Sequence, residues 1–310
     1  MKKMVNDVSR KIHFFQVEWV KGNGERIQKD LKFIESILNS YSNQIIKLYN
    51  DELFIRRHGV KNNRSFWRLE KIRKDELPLK FNELHLKEDP LNLQEHEGLA
   101  EPSHFVIFDG KIIGAEYNHY GVRWVNSKLV RIINDYLSNN STDVVRVEIK
   151  PIFRKELYNL LERFIEIRGI TIKIATNYAR LLAKEDPESF GKMFSAAELI
   201  DGVWLSLGVT IGSRKHVEIS KFDRIKESIK RLLRHPEATE NLRAINIRGR
   251  LEGEESIEEF NLLEEMLVSE KRVAKLDERS RAVNPESMFN AIVDSYYAFE
   301  NELKEYIKRS

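Results

Sequence analysis

The chain contains no cysteine. That excludes disulfides and thiolate metal sites, and it suits a reducing compartment. No stretch approaches 18 consecutive apolar residues, so no membrane-spanning helix is expected. The first residues, "MKKMVNDVSRKIHFFQVEW", include basic side chains but no apolar run of signal-peptide length. A cytoplasmic protein is therefore expected. There is no Gly-rich phosphate loop, no Walker motif and no serine-nucleophile elbow. The eight histidines show no paired metal-ligand spacing, and His96, His104 and His119 are scattered. Neither a metal nor a cofactor is expected. Internal repeats, low-complexity tracts and long heptad runs are also missing.

Charge of one sign is scarce as well. Lys and Arg total 52 against 49 Asp and Glu, a net charge of +3. The whole-chain balance thus names no partner. Its distribution says more. Residues 1–74 hold 17 bases and 8 acids, residues 75–101 hold 2 and 8, and residues 214–250 hold 11 and 5. The stretch 252–265, "EGEESIEEFNLLEE", has seven acids and no base. Such blocks suggest opposed electrostatic faces, with ordinary solvated surface as the plainer explanation.

What is present is enough to fold. The 310 residues are 41% hydrophobic, which allows one large domain or two. Strands are expected at 12–20, on both sides of a polar loop within 52–72, and at "VVRVEI", "GITIKIA", "VWLSLGVTIG" and "LRAINIRGRL". In "FVIFDGKIIGAEYNHYG", residues 105–121, Asp109-Gly110 predicts a two-residue turn of primed geometry, because glycine accepts positive φ. Both flanking strands are apolar on both faces, so this hairpin is expected to be central and covered on two sides. Helices are expected over 25–49, where Ile27, Leu31, Ile34 and Leu38 keep helical spacing, and over 124–138, 153–168, 188–200 and 221–234. A last helix is expected over 285–308, opened by Asn284 as cap and Pro285 at the first position. An acidic linker is expected up to about residue 101. Hairpins among the strands favour an α+β fold of mixed, largely antiparallel sheets with packed helices, in two domains, 1–177 and 178–310.

Three stretches invite a functional reading. In "VEIK", Glu148 and Lys150 lie two apart on a strand and face one way. With Asp109 upstream they would outline a metal-dependent nuclease of the PD-(D/E)xK kind. Against this, Asp109 suits a hairpin turn, and Pro151 follows Lys150 directly. The cluster after the central hairpin holds Glu116, Asn118 and His119. A glutamate on an apolar face needs a partner, and His119 or Arg123 is within sequence reach. A structural pair at a strand end is the better reading there. The third stretch is basic. In "SRKHVEISKFDRIKESIKRLLR", Phe222, Ile225, Ile229 and Leu232 form a core stripe. Lys215, Lys221, Arg224, Lys226, Lys230, Arg231 and Arg234 project elsewhere and could follow a phosphate backbone. The hairpin 54–74, with Arg56, Arg57, Lys61, Arg64 and Arg68 around Phe66 and Trp67, is a second candidate.

The order of these features is similar to that of a known family. A Gly, a strand, a tight turn and an Ile-Gly strand in "EGLAEPSHFVIFDGKIIGAEYNHYG" are followed by "VEIKP", "GITIKIA", "LSLGVTIGSRKHVEISKFDRIKESIKRLL" and the long C-terminal segment. This resembles RexA, the phage-lambda superinfection-exclusion protein, and the related KwaB proteins of the Kiwa phage-defence system, over about residues 12–308. The resemblance implies a cytoplasmic phage-defence protein that binds double-stranded DNA with little sequence preference, as a homodimer and without enzymatic activity. A membrane-protein partner encoded nearby would fit it. The basic helix is the segment that carries over best. The expected function is therefore non-enzymatic DNA binding. A nuclease using Asp109, Glu148 and Lys150 and a non-catalytic assembly protein stand as alternatives.

Overall fold

The computed structural model describes residues 7–48, 51–75, 77–140, 142–185, 194–195, 204–210, 219–234, 241–254 and 256–309. Its backbone groups into two compact units. One comprises Met1–Ile149 with Val268–Leu303, the other Lys150–Leu267 with Lys304–Ser310. The division expected at 177/178 falls inside the second unit. The first unit is completed by a segment from near the C-terminus.

The first unit is built on one large sheet. Its main path runs β10 (Val144–Pro151), β1 (Asp7–Lys21), β9 (Ile112–Tyr117), β8 (Leu99–Phe108), β5 (Arg64–Arg73), β4 (Asp51–Lys61), β3 (Ile45–Leu48). β2 (Arg26–Ile27) and β15 (Val268–Ala274) also pair with β1. Every ladder with a defined register is antiparallel. Residues 12–20 of β1 are all buried, so both of its faces are covered. On one face, α1 (Leu31–Ser40) and α2 (Val125–Asn139) pack over Phe15, Val17, Trp19, Trp67, Phe105 and Ile113. On the other, α6 (Pro285–Ala298) lies over β8 and β9, where Tyr296 stacks on Phe108 at 3.9 Å between ring centroids. Gly114 makes that approach possible, since a Cβ there would sit 2.8 Å from Ile292.

The tight turns behave as local chemistry dictates. Asp109 (φ 51°) and Gly110 (φ 73°) are both left-handed, and Lys111 N–H donates to the Phe108 carbonyl at 2.9 Å. This is the primed geometry that matches strand twist. Gly110 is required for a second reason. A Cβ there would lie 2.6 Å from the backbone carbon of Asp30, where α1 begins. Asp30 caps α1 by accepting from Phe33 N–H. The helix expected over 25–49 is thereby confined to 31–40. Arg26–Ile27 pairs with Trp19 and Val20, and Ile45–Leu48 pairs with β4. Strand pairing overrides helical spacing at both ends. The expected acidic linker instead contains a hairpin, β6 (Leu79–Asn82) and β7 (Lys87–Pro90), which leaves Leu79, Phe81, Leu84 and Leu86 exposed.

The second unit is a four-stranded antiparallel sheet in the order β12 (Trp204–Thr210), β11 (Phe164–Ala175), β13 (Leu242–Leu251), β14 (Glu258–Asn261). Ile170, Ile172, Ile174, Ile245 and Ile247 are buried on one face. α3 (Lys155–Arg163) and α4 (Thr176–Glu185) touch β11. The helix expected to reach residue 168 ends at Arg163, because Phe164 already pairs with Leu251 of β13. Of the last two residues of the expected stripe, Phe164 is buried on β11 and Ile165 is exposed. α5 spans Ile219–Arg234. Most of the helix expected at 188–200 lies outside the described residues. The expected terminal helix is broken: α6 ends at Ala298, and α7 (Glu300–Arg309) follows after Phe299 turns toward Phe14. Asn284 caps α6 as expected, accepting from Ser287 N–H at 3.0 Å, with Pro285 in its first turn. The second unit's own ends are held together. Leu267 N–H donates to the Ile152 carbonyl at 2.9 Å, and Phe153 bridges Met266. Among the described residues no helix is long and apolar enough to cross a membrane.

Candidate nucleic-acid interface

The basic helix forms, but its cations are unevenly available. Ile229, Leu232 and Leu233 are buried, which fixes the inward face of α5. Lys226 is only 7% exposed, and its ammonium donates to the Glu162 carbonyl of α3 at 3.2 Å. Lys230 donates to the carboxylates of Glu162 and Glu227, both at 2.7 Å. The Lys230 ammonium beside it holds the Glu162 carboxyl below its ordinary range. Burial disfavours the Lys230 charge, yet its two carboxylate partners raise its pKa overall. Arg234 lies over the Tyr158 ring at 5.3 Å. These three side chains bind α5 to α3. Arg224 and Arg231 are exposed. Lys215 and the Lys221 side chain lie outside the described residues. The helix therefore offers phosphate fewer cations than its sequence suggests.

The open face of the same unit's sheet is a stronger cationic surface, and sequence reasoning missed it. Residues two apart share a face, and register makes Lys173, Ser206 and Ala244 neighbours, then Thr171, Gly208 and Asn246, then Gly169, Thr210 and Arg248. Lys173, Arg243 and Arg248 are exposed, as are Thr171, Ser206 and Thr210. Two β-bulges explain the extra arginines. The β11–β13 register slips between Ile167 and Gly169, and again between Lys173 and Ile174. An unpaired residue at a bulge is re-aimed relative to the pleat. Arg168 sits at the first slip on β11. Arg243 sits opposite the second on β13, with its guanidinium 3.9 Å from the Trp204 ring centroid. Trp204 pairs with Ala175 and follows the parity of the open face. The acids nearby are Glu259, which accepts from Asn246 Nδ2 at 2.8 Å, and Glu166, which pairs with Arg168 and Arg250. The acidic block 252–265 contributes the edge strand β14. The sheet is thus cationic over β11 and β13 and acidic at one margin.

The other sequence candidates belong to the first unit's architecture. Arg57 places Nε and an Nη on one Glu35 oxygen, at 3.1 and 2.9 Å. Arg68 pairs with buried Glu70 at 3.0 Å, and Arg56 approaches the same carboxylate at 3.9 Å. Arg64 engages Tyr297, with its guanidinium 4.8 Å from that ring. Lys61 is exposed at the end of β4. This hairpin is largely neutralised by its own chain.

The nuclease residues are also committed elsewhere. Asp109 occupies the turn and accepts from Asn63 Nδ2. Glu148 is 9% exposed and pairs with Arg26 at 3.2 Å and Arg146 at 3.0 Å, while Arg26 also holds Glu18 at 2.8 Å. Lys150 is 8% exposed, and β10 continues to Pro151. Among the described residues no three His, Cys, Asp or Glu side chains are grouped to hold a metal ion.

The cluster after the central hairpin is structural in its geometry. Glu116 is 2% exposed. Its partners are Arg10 at 3.0 Å and His104, whose Nδ1 lies 2.7 Å away, and not His119 or Arg123. His119 contacts Arg123 instead. Since a carboxylate only accepts, His104 donates from Nδ1. Asn118 donates to the Pro102 carbonyl at 2.7 Å.

The chain matches a family of unknown function, DUF6731, over residues 8–304, and it belongs to that family. No curated protein matches it.

Proposed function

We propose that this member of the DUF6731 family is a nucleic-acid-binding protein that acts by binding, through the open face of its second unit. One observation carries the reading. A four-stranded sheet buries its isoleucine face and leaves Lys173, Arg243 and Arg248 exposed on or beside the other, with Arg168, itself paired with Glu166, next to Arg248. Buried faces need apolar side chains, but an open face needs no particular charge. Several cations over adjacent strands therefore favour a polyanionic partner. Lys173 and Arg248 are exposed, and the acid set against them in the ladder is Glu259, opposite Arg248 on the edge strand. The resemblance to RexA and KwaB supports phage defence as the setting and double-stranded DNA, bound by a homodimer, as the first partner to test. Glu148, held by two arginines, is assigned no catalytic role in this reading.

Changing Lys173, Arg243 and Arg248 together to Gln should flatten the plot of log affinity against log salt. Each phosphate contact contributes roughly 0.9 to that slope, so the loss should be about 2.7 per subunit. Titration of a random-sequence duplex at several salt concentrations measures it, and an unchanged slope would reject this face. Arg224→Gln with Arg231→Gln on α5 should have the smaller effect. Lys226→Gln should instead lower stability, because it removes a buried cation from its α3 partners.

A second test addresses chemistry. Supercoiled plasmid incubated with the protein and Mg²⁺ or Mn²⁺ should remain intact. Cleavage by the parent that disappears in Glu148→Ala would restore the nuclease.

A further inference from the structure

The open face is not flat. A depression of about 200 Å³ lies on it, lined among others by Arg168, Gly169, Thr171, Asn246, Arg248 and Glu259. Glycine makes it. Gly169 stands between Thr210 and Arg248 in the ladder, so backbone forms part of the floor. The volume is below the roughly 300 to 1,000 Å³ of pockets that enclose a whole small-molecule ligand. It is sized for a single ring system with a substituent.

Two polar atoms here have no partner and are shielded from solvent: Asn246 Oδ1 and Arg168 Nε. The amide's orientation follows from its neighbour. Glu259 can only accept, so the Asn246 atom facing it at 2.8 Å is the NH₂ group. Oδ1 is therefore left as an acceptor without a donor. A buried polar atom without a partner is costly, and a ligand toward which the amide turns can supply the missing bond and recover that cost. The missing ligand needs an N–H donor for Asn246 and an anion for Arg248, since Arg168 beside it is already paired with Glu166. A nucleotide has both, in its base edge and its phosphate.

We propose that the depression takes one unstacked nucleotide of a single strand. The base sits over the Gly169 backbone with an N–H toward Asn246 Oδ1, and the phosphate lies toward Arg248. This rests on the nucleic-acid reading above and narrows it. A duplex hides the hydrogen-bonding edges of its bases, whereas open sheet faces take up splayed ones. Trp204, on the same face and capped by Arg243, offers a stacking surface for a neighbouring base. The acidic margin at β14 turns the strand away from that edge, so that it crosses β13, β11 and β12. Every base carries an N–H on its pairing edge, so weak sequence preference follows.

Gly169→Val is the discriminating variant. A Cβ at Gly169 would meet Val209 O at 3.4 Å and Arg248 Cβ at 3.8 Å, both ordinary contacts, and the glycine is not among those at positive φ. The side chain fills the depression without removing a charge. Fluorescence anisotropy with an oligo-dT strand and with a hairpin duplex of equal phosphate number is the measurement. The parent should prefer the single strand. Gly169→Val should lose about tenfold in single-strand affinity, equivalent to about 1.4 kcal/mol, with duplex affinity and both salt slopes unchanged. Retained duplex binding shows that the variant folds, and Gly169→Ala should give a smaller loss in the same direction. Unchanged single-strand affinity in Gly169→Val would overturn the proposal while leaving nucleic-acid binding standing. Thymidine monophosphate displacing the strand at micromolar concentration would overturn the strand as the source and assign the site to a free nucleotide. Failure of the parent to bind either oligonucleotide would remove the functional reading itself.

Discussion

Glu116→Ala should destabilise the first unit by about 3 to 5 kcal/mol, the usual cost of removing one partner from a buried ion pair. The carboxylate is 1% exposed at its side chain and sits between Arg10 and His104. Arg10 retains 21% exposure and can turn to water. His104 cannot, since it is fully buried with its ring against Phe289 at 5.2 Å. Removal of Glu116 therefore strands the His104 Nδ1–H and also the His104 main-chain N–H, which donates to the same oxygen at 3.2 Å. Urea unfolding of Glu116→Ala, His104→Ala and the double variant separates pair from position. The double variant should cost less than the sum of the singles by about 0.5 to 3 kcal/mol, because neither partner is then left alone. Additivity would mean that the pair is incidental. Normal nucleic-acid affinity in a folded Glu116→Gln protein would fit the cluster's structural role, and selective loss of affinity there would contradict it.

Acidification should produce the second large effect. His13 is 8% exposed on β1, with its ring 5.1 Å from Trp124 and 5.6 Å from Tyr117. Burial first, and then the charge of Lys11, lower its pKa to about 4. The folded protein thus keeps His13 neutral at a pH where the unfolded chain protonates it. The associated stability is complete above pH 6.5 and is lost as pH falls from 6.5 to about 4, after which no more is lost. At 1.36 kcal/mol per pKa unit, the total is about 3 kcal/mol. His13→Phe keeps a ring against Trp124 and removes the titration. Parent and variant should therefore diverge across that window, the parent losing about 3 kcal/mol more in denaturant melts. Parallel curves would show that His13 titrates normally and is not enclosed.

The features legible in the sequence were those decided within a few residues. Asn284 and Pro285 start a helix by local hydrogen bonding and fixed φ, and Asp109-Gly110 turns a hairpin because both residues accept positive φ. The strand 242–251 and the α+β class with antiparallel sheets were readable for the same reason, since alternation and turns are local. What failed depended on distant partners. Lys226 and Lys230 looked like free cations because Glu162 lies 64 and 68 residues away. Glu116 was matched with nearby His119 or Arg123, while Arg10 is 106 residues earlier. The open sheet face was invisible because Arg168 and Arg243 reach it through bulges, and a bulge is defined only against a neighbouring strand. Residues 25–49 and 153–168 satisfied helical spacing, and nothing local announced that β1, β4 and β13 would claim their ends.

The chain order of the first unit has a consequence for synthesis. The ribosome delivers residues 1–149 first, then all of 150–267, and only then β15 and α6. Until α6 arrives, the face bearing Ile12, Phe14, Val106, Phe108 and Ile112 has no cover, and the β1 edge at Asp7–His13 has no β15 partner. At ordinary translation rates that interval lasts on the order of ten seconds. An apolar sheet with an open edge is what holding chaperones bind and what aggregates without them. A polypeptide stopped at Leu267 should therefore be insoluble or chaperone-bound, although it contains the second unit almost whole. Extension to Leu303 should restore solubility, and the length at which the nascent chain leaves the chaperone marks the point where the first unit closes.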